Sequence, residues 1–324
     1  MTDSEGASDP TKVCAVIVSY EPDLAVLRCC IEQIELQVGG VCLVDNTSTP
    51  EVALQISQLK GSRRQDNHHK KIHFHCISLG HNQGIASAQN KGIAWAAEQQ
   101  FEYVLLLDQD SLANPQMVSN QLAAFRQLAS EGVVPAAIGA AYIEANSGHS
   151  SAFIQFGMPF CKRIYYTPGG ANLVRADSLI SSGSLISIDT LKAVGEMDES
   201  LFIDHVDTEW FLRAAARGFP AYGLWQATMS HALGATSLQF WLGRWYRYPL
   251  YPPLRYYYIF RNSLLLWRLP WAPFAWRAFD ARRLLRIALL NLLASDQRLP
   301  RWRYMWAGIR DGIKARRGEY QSHR

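Results

Sequence analysis

Tyr103-Val104-Leu105-Leu106-Leu107-Asp108-Gln109-Asp110 is the stretch that decides how this chain folds. A short apolar run that stops at paired acids predicts a strand buried in a parallel sheet, with the acids delivered to its carboxyl edge. That edge is where α/β proteins place their ligands. Hard oxygen donors one residue apart suit Mg²⁺ or Mn²⁺, and those ions commonly clamp phosphate oxygens. An isolated Asp-x-Asp is also what a strand ending in a polar turn looks like, so the neighbouring segments have to carry the distinction.

Outward from this point, strand-like and helix-like stretches alternate. Val13 to Val18 predicts a first strand with Ser19-Tyr20-Glu21-Pro22 as its exit, and Asp23 to Gln37 a helix. Val41 to Val44 is a second strand ending at Asp45-Asn46, Ile72 to Ser78 a third, and Gln83 to Gln99 an Ala-rich helix before the strand at Tyr103. Beyond the acids, Pro115 to Ser130 reads as a helix and Ala136 to Ile143 as a strand. Leu179 to Ile188 carries Ser182-Gly183-Ser184, and Asp189 caps a short helix to Val194. The alternation predicts an α/β fold with a mostly parallel central sheet flanked by helices. Residues 1–11 form a polar tail expected to be disordered, 12–235 the α/β domain, and 236–324 a separate helical region rich in Trp, Tyr, Arg and Leu. His68-His69 sits in a polar, basic stretch and reads as a surface loop, because adjacent residues of extended chain face opposite sides.

Composition narrows the class. With 324 residues, 48% hydrophobic and 19% charged, the chain is globular and not disordered. The net charge of +4 is concentrated from Arg244 to Arg324, which favours an acidic surface or a polyphosphate. Six cysteines without a Cys-x-x-Cys pair predict free thiols in a reducing compartment. Met1 to Thr11 lacks an apolar core of signal-peptide type, so a cytoplasmic location is expected.

Four segments join the paired acids. Ser19 and Tyr20 end a strand with a hydroxyl and an aromatic suited to a nucleobase, and Asp45 ends the next with an acid suited to a base or ribose. His81 to Gly92 offers Asn82, Gly84 and Asn90 at a helix whose amino-terminal amides can favour a diphosphate. Asp204, Asp207 and Glu209 cluster at a loop-to-helix junction, a place to hold a general base. Glu209 and Arg213 are also spaced as a helical ion pair, and Asp207 is placed to cap a helix.

In this order, Val-Ser-Tyr, Val-Asp-Asn, Asn-x-Gly-x-Ala-x-Ala-x-Asn-x-Gly, Asp-x-Asp, Ser-Gly-Ser and Phe-Ile-Asp-x-Val-Asp-x-Glu-Trp resemble family 2 of the inverting nucleotide-sugar glycosyltransferases. Leu201 to Arg213 is most similar to the bacterial rhamnosyltransferases that use dTDP-L-rhamnose. The resemblance implies a GT-A fold in which Ser19, Tyr20, Asp45, Asn82, Gly84, Asn90 and Asp108 bind the donor. It implies that Asp110 binds Mg²⁺ or Mn²⁺, with Asp108 and His231 as further ligands. Ser182, Gly183, Ser184 and Trp210 fall at the acceptor or sugar pocket. Asp207 takes the place of the catalytic base, although Val206 stands where the family commonly has Glu, leaving Asp204 and Glu209 as alternatives. The activity implied is metal-dependent, inverting transfer of a sugar to a hydroxyl of a cell-surface glycan or polyprenyl-diphosphate-linked precursor. A UDP-sugar donor and a non-catalytic sugar-nucleotide-binding homologue are the other readings.

Arg244-Trp245-Tyr246-Arg247-Tyr248, continuing through Arg255-Tyr256-Tyr257-Tyr258 and Arg261-Asn262, interleaves cations with aromatics, and Arg282 to Leu293 is basic and Leu-rich. This pattern suits peripheral contact with the cytoplasmic face of a membrane or packing on the catalytic domain. No nucleic-acid motif accompanies it, so nucleic acid is not an expected partner.

Overall fold

The computed structural model describes residues 9–59, 72–143, 150–231, 237–241, 245–293 and 297–321, with the backbone alone described at 231, 237–241, 245–249 and 292–293. At its centre is β1 (Val13–Ser19), buried along its whole length. Its alternate residues feed two cores. Cys14, Val16 and Val18 pack with α3 (Ile85–Glu98) on one face, while Val13, Ala15 and Ile17 pack with α1 (Leu24–Ile34) and α4 (Met117–Ser130) on the other. A strand covered on both faces requires an unbroken apolar run, and the sequence supplies one.

β1 pairs in parallel with β2 (Gly40–Asp45) on one side and with β4 (Tyr103–Asp108) on the other; β2 continues to β3 (His73–Ser78). After the short β5 (Ser111–Ala113) and β6 (Ile138–Ile143), the sheet gains β9 (Leu173–Ala176), β10 (Ser184–Ser187) and β11 (Ala221–His231), giving the order β3-β2-β1-β4-β10-β6-β11-β5 with β9 on β11. β10 is antiparallel to both neighbours, so the sheet is mixed but mostly parallel on its amino-terminal side. β7 (Phe153–Gln155) and β8 (Lys162–Ile164) form a small separate ribbon.

Helices α2 (Pro50–Gln58), α5 (Ile188–Val194) and α6 (Val206–Ala216) complete the α/β part. Two local expectations are corrected. The cap of α5 is Ser187, whose hydroxyl accepts the Thr190 N–H, with Asp189 inside the first turn. The region beyond His231 does not begin with a helix: β12 (Ser237–Trp241) and β13 (Trp245–Pro249) pair as a hairpin before α7 (Pro253–Leu266), α8 (Phe274–Leu293) and α9 (Arg298–Ile313). His68-His69 and Arg244 lie outside the described residues.

The carboxy-terminal helices have a core of their own, with Tyr256, Ile259, Phe260, Leu284, Ile287 and Met305 buried together. They also share the sheet's core through Leu265, Leu266 and Trp276. The α7 part of the cation-aromatic segment therefore faces inward: Tyr256, Tyr257, Tyr258, Arg261 and Asn262 are all buried, while the side chains of 244–248 lie outside the described residues.

Candidate active site at the sheet edge

From β1 the chain runs outward to β2 and β3 and then crosses back to β4 on the other side of β1, a reversal that opens a crevice at the carboxyl ends of these strands. The register places Ser19 opposite Asp45 and Val18 opposite Asp108, so strand ends that are far apart in sequence form one row. Tyr20 is 47% exposed at the mouth of this row. Its backbone N–H donates to Gln109 Oε1 at 2.7 Å, tying the exit of β1 to the residue between the paired acids. Asp45 is buried; its Oδ1 accepts the Thr47 N–H at 3.0 Å and the Ser19 hydroxyl at 3.4 Å. Its Oδ2 is buried without a hydrogen-bond partner among the described residues, which is costly unless a ligand supplies one.

The start of α3 is built by amides. Asn82 Oδ1 accepts from the Gly84 N–H at 3.0 Å and from Asn46 Nδ2 at 2.9 Å, and Asn46 Oδ1 accepts the Gln83 N–H at 2.8 Å. Gly84 has φ +86°, and a Cβ there would lie 2.5 Å from the Phe202 carbonyl oxygen, so the position requires glycine. Asn90 sits further along α3 and is buried, with its amide engaged by the 197–199 segment: Nδ2 donates to the Met197 carbonyl and Glu199, and Oδ1 accepts the Met197 N–H, each at 3.0 Å. Asn90 thus ties α3 to the segment that leads to α6.

Asp108 ends β4, and Asp110 lies between β4 and β5. Both carboxylates act on the same buried thiol: Cys30 is pushed up to about 12, first by burial and then by the charges of Asp110 and Asp108. The antiparallel register of β5 and β11 brings the His231 backbone opposite Ser111, next to Asp110, while the His231 side chain lies outside the described residues. Among the described residues no group of three or more His, Cys, Asp or Glu side chains is arranged to hold a metal ion. Two hard carboxylates at the crevice nevertheless fit Mg²⁺ or Mn²⁺ chemistry, in which phosphate oxygens and water fill the remaining positions.

Ser182-Gly183-Ser184 supports the acids from behind. Ser182 Oγ accepts the Asp108 N–H at 3.0 Å and lies 2.6 Å from Ser111 Oγ. Gly183 has φ +81° and donates its N–H to the Leu106 carbonyl at 2.8 Å, and Ser184 Oγ donates to the Ile180 carbonyl. The preceding Ser181 N–H reaches the Asp207 carboxylate, so one short loop touches both the acid pair and the candidate base.

The acids of the 199–209 segment have different surroundings. Asp204 is paired with Arg255 of α7 at 3.1 Å. Glu209 is buried and paired with Arg213 at 2.8 Å, confirming the helical ion pair. Asp207 has no ion-pair partner among the described residues; it accepts the Thr208 N–H at 2.7 Å, and burial pushes its carboxyl above the usual carboxylate range. It lines a cleft of about 480 Å³ together with Asp204, His205, Thr208, Trp276 and Arg283. Trp210, expected at the sugar pocket, is fully buried in the core, with its indole N–H on the Gly195 carbonyl at 2.8 Å.

Sequence reading missed Gln109, His205, Arg255, Asn262 and Arg283. His205 Nε2 is 3.0 Å from Ser263 Oγ and 2.6 Å from Arg283, and its ring is brought down to about 4 by burial and by the Arg283 charge. The available signal was Arg261-Asn262-Ser263 between the apolar and aromatic stretches of one helix, since polar side chains there need buried partners.

With this geometry in view, the comparisons fix the class. Residues 14–182 match the family model for glycosyl transferase family 2, and the chain belongs to that family of glycosyltransferases. It is similar to dTDP-rhamnosyl transferase RfbF of Shigella flexneri, with 30% identity over 258 residues covering 80% of each chain. Its fold is that of the GT-A enzymes. A structure of GalNAc-T7 with UDP, GalNAc and Mn²⁺ has a TM-score of 0.55 at 12% identity over 93% of this chain and 56% of that one. S. aureus TarS has a TM-score of 0.51 at 14% identity over 94% of this chain and 49% of the other. The chain thus spans about half the length of those two structures.

Proposed function

We propose that this glycosyltransferase moves L-rhamnose from dTDP-L-rhamnose to a hydroxyl of a glycan or polyprenyl-diphosphate-linked saccharide, with inversion at the anomeric carbon. The observation that carries the mechanism is the contrast among three acids: Asp204 and Glu209 are each paired with an arginine, whereas Asp207 faces the cleft with a raised proton affinity. The sugar and nucleotide are supported by the likeness to the Shigella flexneri dTDP-rhamnosyl transferase.

In this reading Tyr20 stacks on the nucleobase, Asp45 accepts from the nucleoside, and Asn82 holds the amino-terminal turn of α3 open toward the diphosphate. Asp110, with Asp108, would hold Mg²⁺ or Mn²⁺, and a GalNAc-T7 structure with Mn²⁺ shares the fold. Such an ion, when bound, neutralises charge on the departing nucleoside diphosphate. The acceptor oxygen attacks the anomeric carbon as the bond from that carbon to the diphosphate oxygen breaks. The electron pair leaves with the diphosphate, and the acceptor proton passes to Asp207. A β-linked donor then yields an α-L-rhamnoside.

The test is thermal stabilisation by a panel of dTDP-, UDP- and GDP-sugars with Mn²⁺. Selective stabilisation by dTDP-L-rhamnose is expected; selective stabilisation by a UDP-sugar overturns the donor assignment.

We further propose contact with the cytoplasmic face of a membrane through α8 and α9. Leu285, Leu289, Leu299 and Trp306 are exposed there, among exposed Arg282, Arg286, Arg303 and Arg310. No helix among the described residues is long and apolar enough to cross a membrane. Flotation with vesicles containing anionic phospholipid is expected at low salt, and its absence removes this contact.

A further inference from the structure

The four residues before α6 do not hold their own conformation. Phe202 has φ +67° and ψ −66°, with the Ile203 N–H donating to the Leu201 carbonyl at 2.8 Å, the pattern of a strained γ-turn. Asp204 and His205 follow at φ +63° and +62°. Three non-glycine residues with positive φ in so short a segment persist only where the surroundings fix them, at a typical cost of about 1–3 kcal/mol each.

The fixing groups come from α7, with α8 adding one. Asn262 is fully buried, and its Nδ2 lies 3.0, 2.8 and 2.9 Å from the carbonyl oxygens of Leu201, Ile203 and Asp204. Arg261 Nε donates to Asn262 Oδ1 at 2.8 Å, which orients the amide so that its N–H groups face the segment. Arg261 also donates to the Leu201 carbonyl at 2.8 Å. Arg255 grips the Asp204 carboxylate through Nε and Nη2 at 3.1–3.2 Å, and its guanidinium lies 4.3 Å from the centre of the Tyr251 ring. Arg283 of α8 donates to His205.

We propose that Asn262 and Arg255 are positioning residues that clamp the 201–205 backbone and so set the place of the Asp207 carboxylate at the acceptor. This inference rests on the reading of Asp207 as the base. Neither residue takes the proton. Each acts through the backbone that enters α6, where a displacement of about an ångström can cost on the order of 10²-fold in rate.

The test uses the full-length protein and two variants. Asn262→Ala removes the amide, and Arg255→Gln removes the ion pair at a side chain that is 39% exposed, where no core cavity results. Hydrogen exchange of 199–209 is compared with that of β1, β2 and β4. Hydrolysis of dTDP-L-rhamnose with Mn²⁺ is followed, water standing in for the acceptor hydroxyl. Expected are faster exchange confined to 199–209, a kcat reduced at least about tenfold, and a donor KM within about twofold of the parent. Unchanged exchange of 199–209 in both variants overturns the clamp, whether or not hydrolysis is fast enough to follow. Asp207→Asn separates the two claims. If it retains full turnover while Asn262→Ala loosens the segment, the base assignment fails and the clamp stands; if it abolishes turnover while both clamp variants behave as the parent, the reverse holds.

Discussion

The donor side and the base side of this crevice are built on different principles. On the donor side, Ser19, Asp45 and Asp108 are the last residues of strands whose positions are set by parallel pairing; Ser19 bonds to Asp45, Asp45 accepts the Thr47 N–H, and Asp108 is supported by Ser182. On the base side, Asp204, His205 and Asp207 follow a γ-turn whose carbonyls and side chains are held by residues about 50 to 80 positions later. A sheet edge presents its ligands as a by-product of pairing, whereas a loop with positive φ needs external groups to specify it.

Legibility in the sequence followed the same division. The apolar runs ending at Ser19, Asp45 and Asp108 predicted the strands and put those three residues at the sheet edge, because strand periodicity and chain direction place a strand's last residue there. Glu209 with Arg213 was readable for a local reason, the spacing of one helical turn. Nothing local revealed the clamp. Arg255 through Asn262 alternates cations and aromatics in the way a membrane-surface segment does, and the same pattern serves buried rings packed on a buried guanidinium, as Arg261 is on Tyr257 and Tyr258. What lies opposite a helix decides between these readings, and sequence order does not state it. Trp210 differs for a related reason: it lies three positions after the candidate base on the same helix, and its ring fills the core on which α6 packs.

The largest effect that would break the comparison is at Asp207. Asp207→Asn is expected to lower transfer by about 10²–10⁴-fold with donor binding retained, measured as kcat against calorimetric affinity for the nucleotide. Burial, the leading cause, raises this carboxyl from its ordinary 3.8, and the group serves as a base only when ionised. The parent's kcat therefore climbs with pH through a midpoint above 3.8, and the variant lacks that limb. The raised proton affinity also means that ionising Asp207 costs the folded state stability above that midpoint, so the asparagine variant melts higher at neutral pH. Retained turnover would pass the role to Asp204 or Glu209 and make the base side no more specialised than its ion pairs.

A smaller effect sharpens the base side alone. His205 is buried against Arg283, with Asp280, Asp204, Ser263 and Trp276 around it, and its folded value of about 4 lies below the ordinary 6.5. The folded state thus holds fewer protons than the unfolded chain between these values, and stability is lost as pH falls from 6.5 toward 4. The full loss is about 3 kcal/mol. His205→Asn keeps a residue tolerant of positive φ and removes the titration. The measurement is the change of unfolding free energy with pH over this range, from urea melts of the parent and the variant, and an equal pH dependence would show that the ring does not stay neutral in its pocket.

The smallest expected effect tests whether the donor side stands without outside help. Asp45 Oδ1 already has two protein partners, while Oδ2 is buried without one among the described residues. Asp45→Asn can keep the first atom as an acceptor but turns the second into an N–H donor, which cannot receive a hydrogen from a nucleobase or ribose. Loss of one such bond predicts nucleotide affinity weaker by about tenfold, or about 1.4 kcal/mol, by calorimetry with dTDP and Mn²⁺. The fold is expected to be no less stable, because the substitution removes a carboxylate and preserves the turn to Thr47. Exchange of 199–209 should also be unaffected, since Asp45 bonds to Ser19, Thr47 and Leu79. Unchanged affinity would make Asp45 a turn-former only, and loosening of 199–209 would show that the base side depends on the donor side as well as on α7.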